Sequence, residues 1–94
     1  MKFDRKVIEV GEKKTLCISL PSIIVDAYKI QRKDIITLSI YKKQGDNIEF
    51  TNKVCRTSNM LRLTIPKNTV IKNSIKPIIY TFEFINNLRE GVKR

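Results

Sequence analysis

Between positions 15 and 21 the chain reads TLCISLP, which sets Leu16, Ile18 and Leu20 on one side and Cys17 and Ser19 on the other. Successive side chains of an extended backbone point to opposite faces, so a period of two marks a half-buried strand. IITLSIY at 35–41 alternates the same way through Ile36, Leu38 and Ile40, and IYTFEFI at 79–85 through Tyr80, Phe82 and Phe84. KVIEV at 6–10 and IEFTNKV at 48–54 read as two further strands. GEKK at 11–14 is a plausible hairpin connection, and KKQGDN has the Gly-Asp-Asn chemistry of a tight reversal. After Pro21 the period changes. Ile24, Ala27, Tyr28 and Ile30 approximate one helical face, which predicts a short helix over 22–29 with Ser22 as a possible N-cap.

The same order then recurs. A polar turn at Arg56-Thr57-Ser58-Asn59 precedes MLRLTIP, a second helical slot, and the closing strand. Leu16, Ile18, Leu20, Pro21 and Ile30 fall on Leu61, Leu63, Ile65, Pro66 and Ile75 at a constant spacing of 45, whereas Ile36, Leu38 and Ile40 fall on Tyr80, Phe82 and Phe84 at 44. A one-residue deletion near Pro77 reconciles the two spacings, because a slip of one would otherwise turn the strand's apolar face outward. The second helical slot holds Asn68, Thr69, Val70, Asn73 and Ser74, modest to poor helix formers, so a single turn or an irregular 3₁₀ piece is expected there. These patterns predict a mainly β chain with short helices: one domain over 1–94, built of two β-β-α-β repeats at about 6–41 and 48–85. The basic segment 86–94 is read as a loosely ordered tail.

Charge narrows the class of partner. Nineteen Lys and Arg against nine Asp and Glu give a formal +10 in 94 residues, and a small domain this basic points to a polyanion, by default nucleic acid. A solubility device or a Lys/Ile-rich coding bias is the bland alternative. There is no histidine, and the two cysteines, Cys17 and Cys55, read as small residues on half-buried strands, so a Cys/His metal site is excluded. No Gly-rich phosphate loop or paired carboxylate motif is present, and a cysteine nucleophile would lack a histidine base. An enzyme is therefore not expected, nor a cofactor. No apolar run approaches the ~18 residues of a membrane span, and MKFDRKV lacks the apolar centre of a secretory signal. The expectation is a soluble cytoplasmic protein.

Two short strands, the second closing in Leu-Pro or Ile-Pro, then a short helix, a turn with Asp34 and an alternating strand: this order resembles the SpoVT/AbrB swapped-hairpin family. That family includes bacterial transition-state regulators and DNA-binding antitoxins of the MazE and VapB type. The first copy matches through Val7, Gly11, Leu16, Ile18, Leu20, Pro21, Ile24, Tyr28, Ile30, Asp34 and Ile36, and the second through Ser58, Asn59, Leu61, Leu63, Ile65, Pro66 and Ile75. Lys33 stands where the family has a glycine, and Lys76-Pro77 replace the glycine-aspartate of the second copy. The resemblance implies a swapped-hairpin, AbrB-like barrel. Family members dimerise to close this core; here one chain can supply both halves as a pseudo-dimer, with a homodimer of two-motif chains as the rival. It also implies a DNA-binding transcription regulator that contacts duplex DNA through basic strands and turns. The corresponding positions are Arg5, Lys6, Lys13, Lys14, Lys53, Arg56, Thr57, Ser58, Asn59 and Arg62. Arg56, Asn59 and Arg62 are assigned to base readout, and Lys13, Lys14 and Lys53 to phosphates. Lys42, Lys43 and Lys67 are read as solvated charges. The unlike turns, GEKK and RTSN, imply an asymmetric or weakly specific site. An antitoxin partnered by a toxin is the alternative, although the nine residues after Ile85 are short for a toxin-wrapping arm; an RNA-binding or architectural module is another.

Overall fold

Every alternating run becomes a strand. The computed structural model describes residues 1–42, 47–57 and 59–88. Among them lie β1 (Lys2–Lys6), β2 (Ile8–Val10), β3 (Thr15–Ser19), α1 (Ser22–Tyr28), β4 (Ile35–Tyr41), β5 (Asn47–Thr57), β6 (Met60–Thr64), α2 (Lys67–Asn73) and β7 (Ile79–Leu88). The chain is mainly β, with two short helices. Its strands form one curled antiparallel sheet in the order β1-β7-β4-β5-β6-β3-β2.

Two long stretches of chain serve both halves of this sheet. β5 pairs with β4 through Asn47–Lys53 and with β6 through Val54–Thr57. Val7 divides the N-terminal stretch in the same manner: β1 pairs with β7 and β2 with β3. Both margins of the sheet are thus one piece of chain, and the sheet curls so that they meet at Val7. The bends are pinned by backbone bonds, Val7 N–H to the Ile78 carbonyl (3.0 Å) and Val54 N–H to that of Asp34 (2.7 Å). Both valines are almost fully buried.

The core lies inside the curl. Leu16, Ile18, Leu20, Ile36, Leu38, Ile40, Leu63, Ile65, Tyr80 and Phe82 are buried, the faces that the alternation selected. Phe82 stacks on Phe3, and Phe84, half-buried, stacks on Tyr28 of α1 with ring centroids 3.9 Å apart. β4 is central enough that its other face is covered too. Thr37 and Ser39 are buried, and the Thr37 hydroxyl shares a 2.7 Å hydrogen bond with that of Thr51.

Three local details depart from the sequence expectation. First, β1 begins at Lys2, ahead of the strand read at 6–10, and β7 runs to Leu88, so positions 86–88 belong to a strand rather than to the tail. The charged alternation of β1 conceals a strand because only Phe3 and Arg5 turn toward the protein. Second, α2 is a regular helix equal in length to α1. Its poor formers are overridden by packing: Val70 rests on the core, and Ile75, 5% exposed, plugs the helix end. Both helices start at a proline in extended conformation, Pro21 or Pro66, so the cap is Pro21 and not Ser22. Both end on a left-handed residue, Lys29 or Ser74, after which Ile30 and Ile75 donate back to Val25 and Val70 (3.0 and 3.1 Å). Third, the turn at Lys33 forms without glycine. Lys33 adopts φ 75°, its N–H donates to the Val54 carbonyl (2.8 Å), and the buried Asp34 carboxylate accepts from Gln31 N–H (2.8 Å) and Asn87 Nδ2 (3.0 Å). Those bonds hold a lysine in a region that costs an L-residue about 1 kcal/mol or more.

Candidate nucleic-acid interface

The half-sheet β2-β3-β6-β5 carries both hairpins, and its geometry follows from register. β3 and β6 pair antiparallel through Cys17↔Thr64, Ile18↔Leu63 and Ser19↔Arg62. The two hairpin tips therefore point to opposite ends of the half-sheet, about 30 Å apart at ~3.3 Å per residue. The first tip turns through Gly11 (φ 75°) and Lys14 (φ 54°), closed by Lys14 N–H on the Gly11 carbonyl (3.2 Å), and it leaves Lys13 and Lys14 exposed. The second tip follows the Thr57↔Met60 pair, with Thr57 and Asn59 exposed. Ser58, part of the expected contact set, lies outside the described residues, as does Lys43.

Pairing also sorts the arginines. Cys55, Arg62 and Ser19 form one row across the outer face, with Ile8, Cys17 and Thr64 in the next row. Arg62 is half-buried there, and its Nε is buried with no hydrogen-bond partner among the described residues. Burial pushes the Cys17 thiol up, against the smaller downward pull of the Arg62 guanidinium. Arg56 pairs with Leu61 and so faces the opposite way, the side of the core; it stays exposed because the hairpin projects past the packed interior. Arg56 and Arg62 do not share a face.

The remaining expected residues separate into two groups. Lys6 and Lys53 are exposed on β1 and β5, just before the two bends. Arg5 is differently engaged. Its Nε donates to the Ser19 carbonyl (2.9 Å) and hydroxyl (3.2 Å), and its Nη2 to the same hydroxyl (2.9 Å). Arg5 fastens β1 to the end of β3, a role that competes with any phosphate contact. Asn52 does the same on β5, with Nδ2 donating to the Thr64 carbonyl (2.8 Å).

Two lysines read as solvated charges have definite places. Lys42 Nζ donates to the Asn73 carbonyl (2.7 Å), satisfying the C-terminal end of α2. Lys67 opens α2 and lies beside Lys13 and Lys14, around one cleft. The signal for Lys67 was available: once LCISLP and LRLTIP pair antiparallel, the residue after Pro66 must approach the turn before Thr15.

Among the described residues no group of three or more Cys, Asp or Glu side chains is arranged to hold a metal ion, and no helix is long and apolar enough to cross a membrane. No family model, curated protein or solved structure matches this chain.

Proposed function

We propose that the chain is a single-chain pseudo-dimer of the swapped-hairpin, AbrB-like type, and that it acts as a DNA-binding regulator of transcription. The observation that carries the reading is a correspondence of registers. Exchanging positions 45 apart maps the pair Ile18↔Leu63 onto itself and Cys17↔Thr64 onto Ser19↔Arg62. Exchanging positions 44 apart maps Ser39↔Glu83 onto itself and Leu38↔Phe84 onto Ile40↔Phe82. These are the two spacings of the sequence repeat. Detailed bonds follow suit: Leu20 N–H donates to the Leu61 carbonyl and Ile65 N–H to that of Leu16. The Ser19 and Thr64 carbonyls, also 45 apart, each accept from a side chain of their own half's first strand, Arg5 and Asn52, although these two donors are 47 apart. The first strand of each half pairs with the last strand of the other, which is how swapped halves close a common core.

The chemistry then rests on charge and shape. The formal +10 favours a phosphate backbone, and the major groove admits a two-stranded ribbon such as either hairpin. Lys13, Lys14, Lys6 and Lys53 would neutralise phosphates; Arg62, Asn59 and Arg56 offer the donors suited to guanine and adenine edges. The tips differ, so the bound site need not be a palindrome.

The test is binding to random-sequence duplex DNA by fluorescence anisotropy across a salt series. A plot of log K against log salt should fall by about 0.9 per phosphate engaged. Arg62→Ala should weaken binding and flatten base preference in a selection. Absence of duplex binding at low salt, or preference for single-stranded RNA under the same conditions, overturns the reading.

A further inference from the structure

A cleft lies at each end of the β3–β6 pair, where one hairpin tip faces the helix of the other half. The cleft beside the first tip encloses about 360 Å³, with Leu16, Val70 and Ile71 forming its apolar side and Lys13, Lys14 and Lys67 its rim. That volume is within the range of ligand sites, roughly 300–1,000 Å³. Ile71 is 66% exposed, on a helix that already meets the core through Val70. Folding gains little from an isoleucine left in water, and nothing from three lysines held around it. The matching cleft at the second tip, about 320 Å³, is lined by Arg5, Ser22, Val25, Asn59, Met60 and Leu61, with no lysine among the described residues.

We propose that the first cleft binds an acidic peptide segment bearing aliphatic side chains. The aliphatic group packs on Leu16, Val70 and Ile71, and carboxylates on either side meet Lys13, Lys14 and Lys67. Two features select a peptide over a nucleic acid. Among the described residues no aromatic ring lines the cleft, so bases have no stacking platform there. An aliphatic wall also has nothing to offer phosphate and sugar. Charge complementarity excludes a basic occupant, and among the described residues no acidic side chain lines the cleft to receive one. The site stands apart from the DNA reading, but Lys13 and Lys14 belong to both, so peptide and duplex would compete.

The test uses a fluorescent octapeptide of glutamates with two central leucines, titrated into the full chain at physiological salt beside a peptide with serines in place of the leucines. The leucine peptide should bind at least about tenfold more tightly. Ile71→Ser, an exposed substitution checked by an unchanged thermal transition, should abolish most of that difference, and Lys67→Ala should weaken both peptides. Equal binding of the two peptides overturns the proposal, as does a leucine preference that survives in Ile71→Ser. Independently of any variant, adding the leucine peptide to the unaltered protein should move the amide resonances of residues 13–16 and 67–71. Shifts confined to other regions overturn the proposal. An eight-nucleotide single strand that moves the same amides at lower concentration also overturns it, in favour of nucleic acid.

Discussion

The two clefts have nearly the same walls and opposite rims. Leu16 and Val70 at the first are answered by Leu61 and Val25 at the second, but Lys14 and Lys67 are answered by Asn59 and Ser22. Interior positions on the two sides keep to aliphatic residues because each must fill the same packed space. Rim positions face water, where most substitutions change stability by less than about 0.5 kcal/mol, so they can specialise. One backbone arrangement thus presents two chemistries, three lysines at one end and, at the other, Asn59 and Ser22 beside an Arg5 that is engaged with Ser19.

The comparison breaks most easily in the core. Ile18→Ala and Leu63→Ala remove fully buried side chains that pair with each other, and each should cost about 2–5 kcal/mol. Denaturant titration of both should give similar losses; a loss below about 1 kcal/mol at one site would show that the two halves do not share the load. Next in size is an exchange of rims. Lys13→Ser with Lys14→Asn transplants the second turn's chemistry onto the first, and should lower the salt slope of duplex binding by about 1.8. Asn59→Lys should raise it by about 0.9. If neither moves the slope, the tips do not touch phosphate. A smaller effect is expected at Lys33, which is held at φ 75°. Lys33→Gly should stabilise the chain by about 1 kcal/mol, seen as a thermal midpoint higher by about 4–8 °C. The last contrast leaves stability unchanged. Cys55 is exposed and should be alkylated readily in the native state. Cys17 is buried and its pKa is raised, so less thiolate forms at any given pH and it should react only when the protein opens. Equal labelling of the two, followed by mass spectrometry, would contradict the burial of β3.

Much of the fold was legible because alternation is a direct record of burial. LCISL, IITLSI and YTFEF announced their inward faces, and the spacing of 45 followed by 44 is the offset that relates Ile18 to Leu63 across β3–β6 and Ser39 to Glu83 across β4–β7, a pairing that the repeat alone did not state. What stayed hidden depended on tertiary pairing. KFDRK carries four charges in five residues, and only its partner β7 makes it a strand. The α2 segment has weak intrinsic preference, and the buried plug at Ile75 decides in its favour. For the candidate site, sequence named the basic residues, and the alternation with Leu61 and Leu63 set Arg62 out of the core, but it could not say how the others turn. Arg5 is engaged with Ser19, Arg56 and Arg62 lie on opposite faces, and Lys67 joins Lys13 and Lys14 only through the register of two strands far apart in sequence.

The exchange of outer strands has a consequence for how the protein is made. β1 leaves the ribosome more than seventy residues ahead of its pairing partner β7, with Phe3 opposite Phe82. β4 waits as well, since both its neighbours, β5 and β7, are translated after it. At ~5–20 residues per second, the nascent chain spends several seconds with its N-terminal strand unpartnered. The β2–β3, β4–β5 and β5–β6 pairings join strands that are consecutive in the chain, whereas β1–β7 and β4–β7 require the last strand. The emergence of β7 is thus the step that joins β1 to the central strand β4.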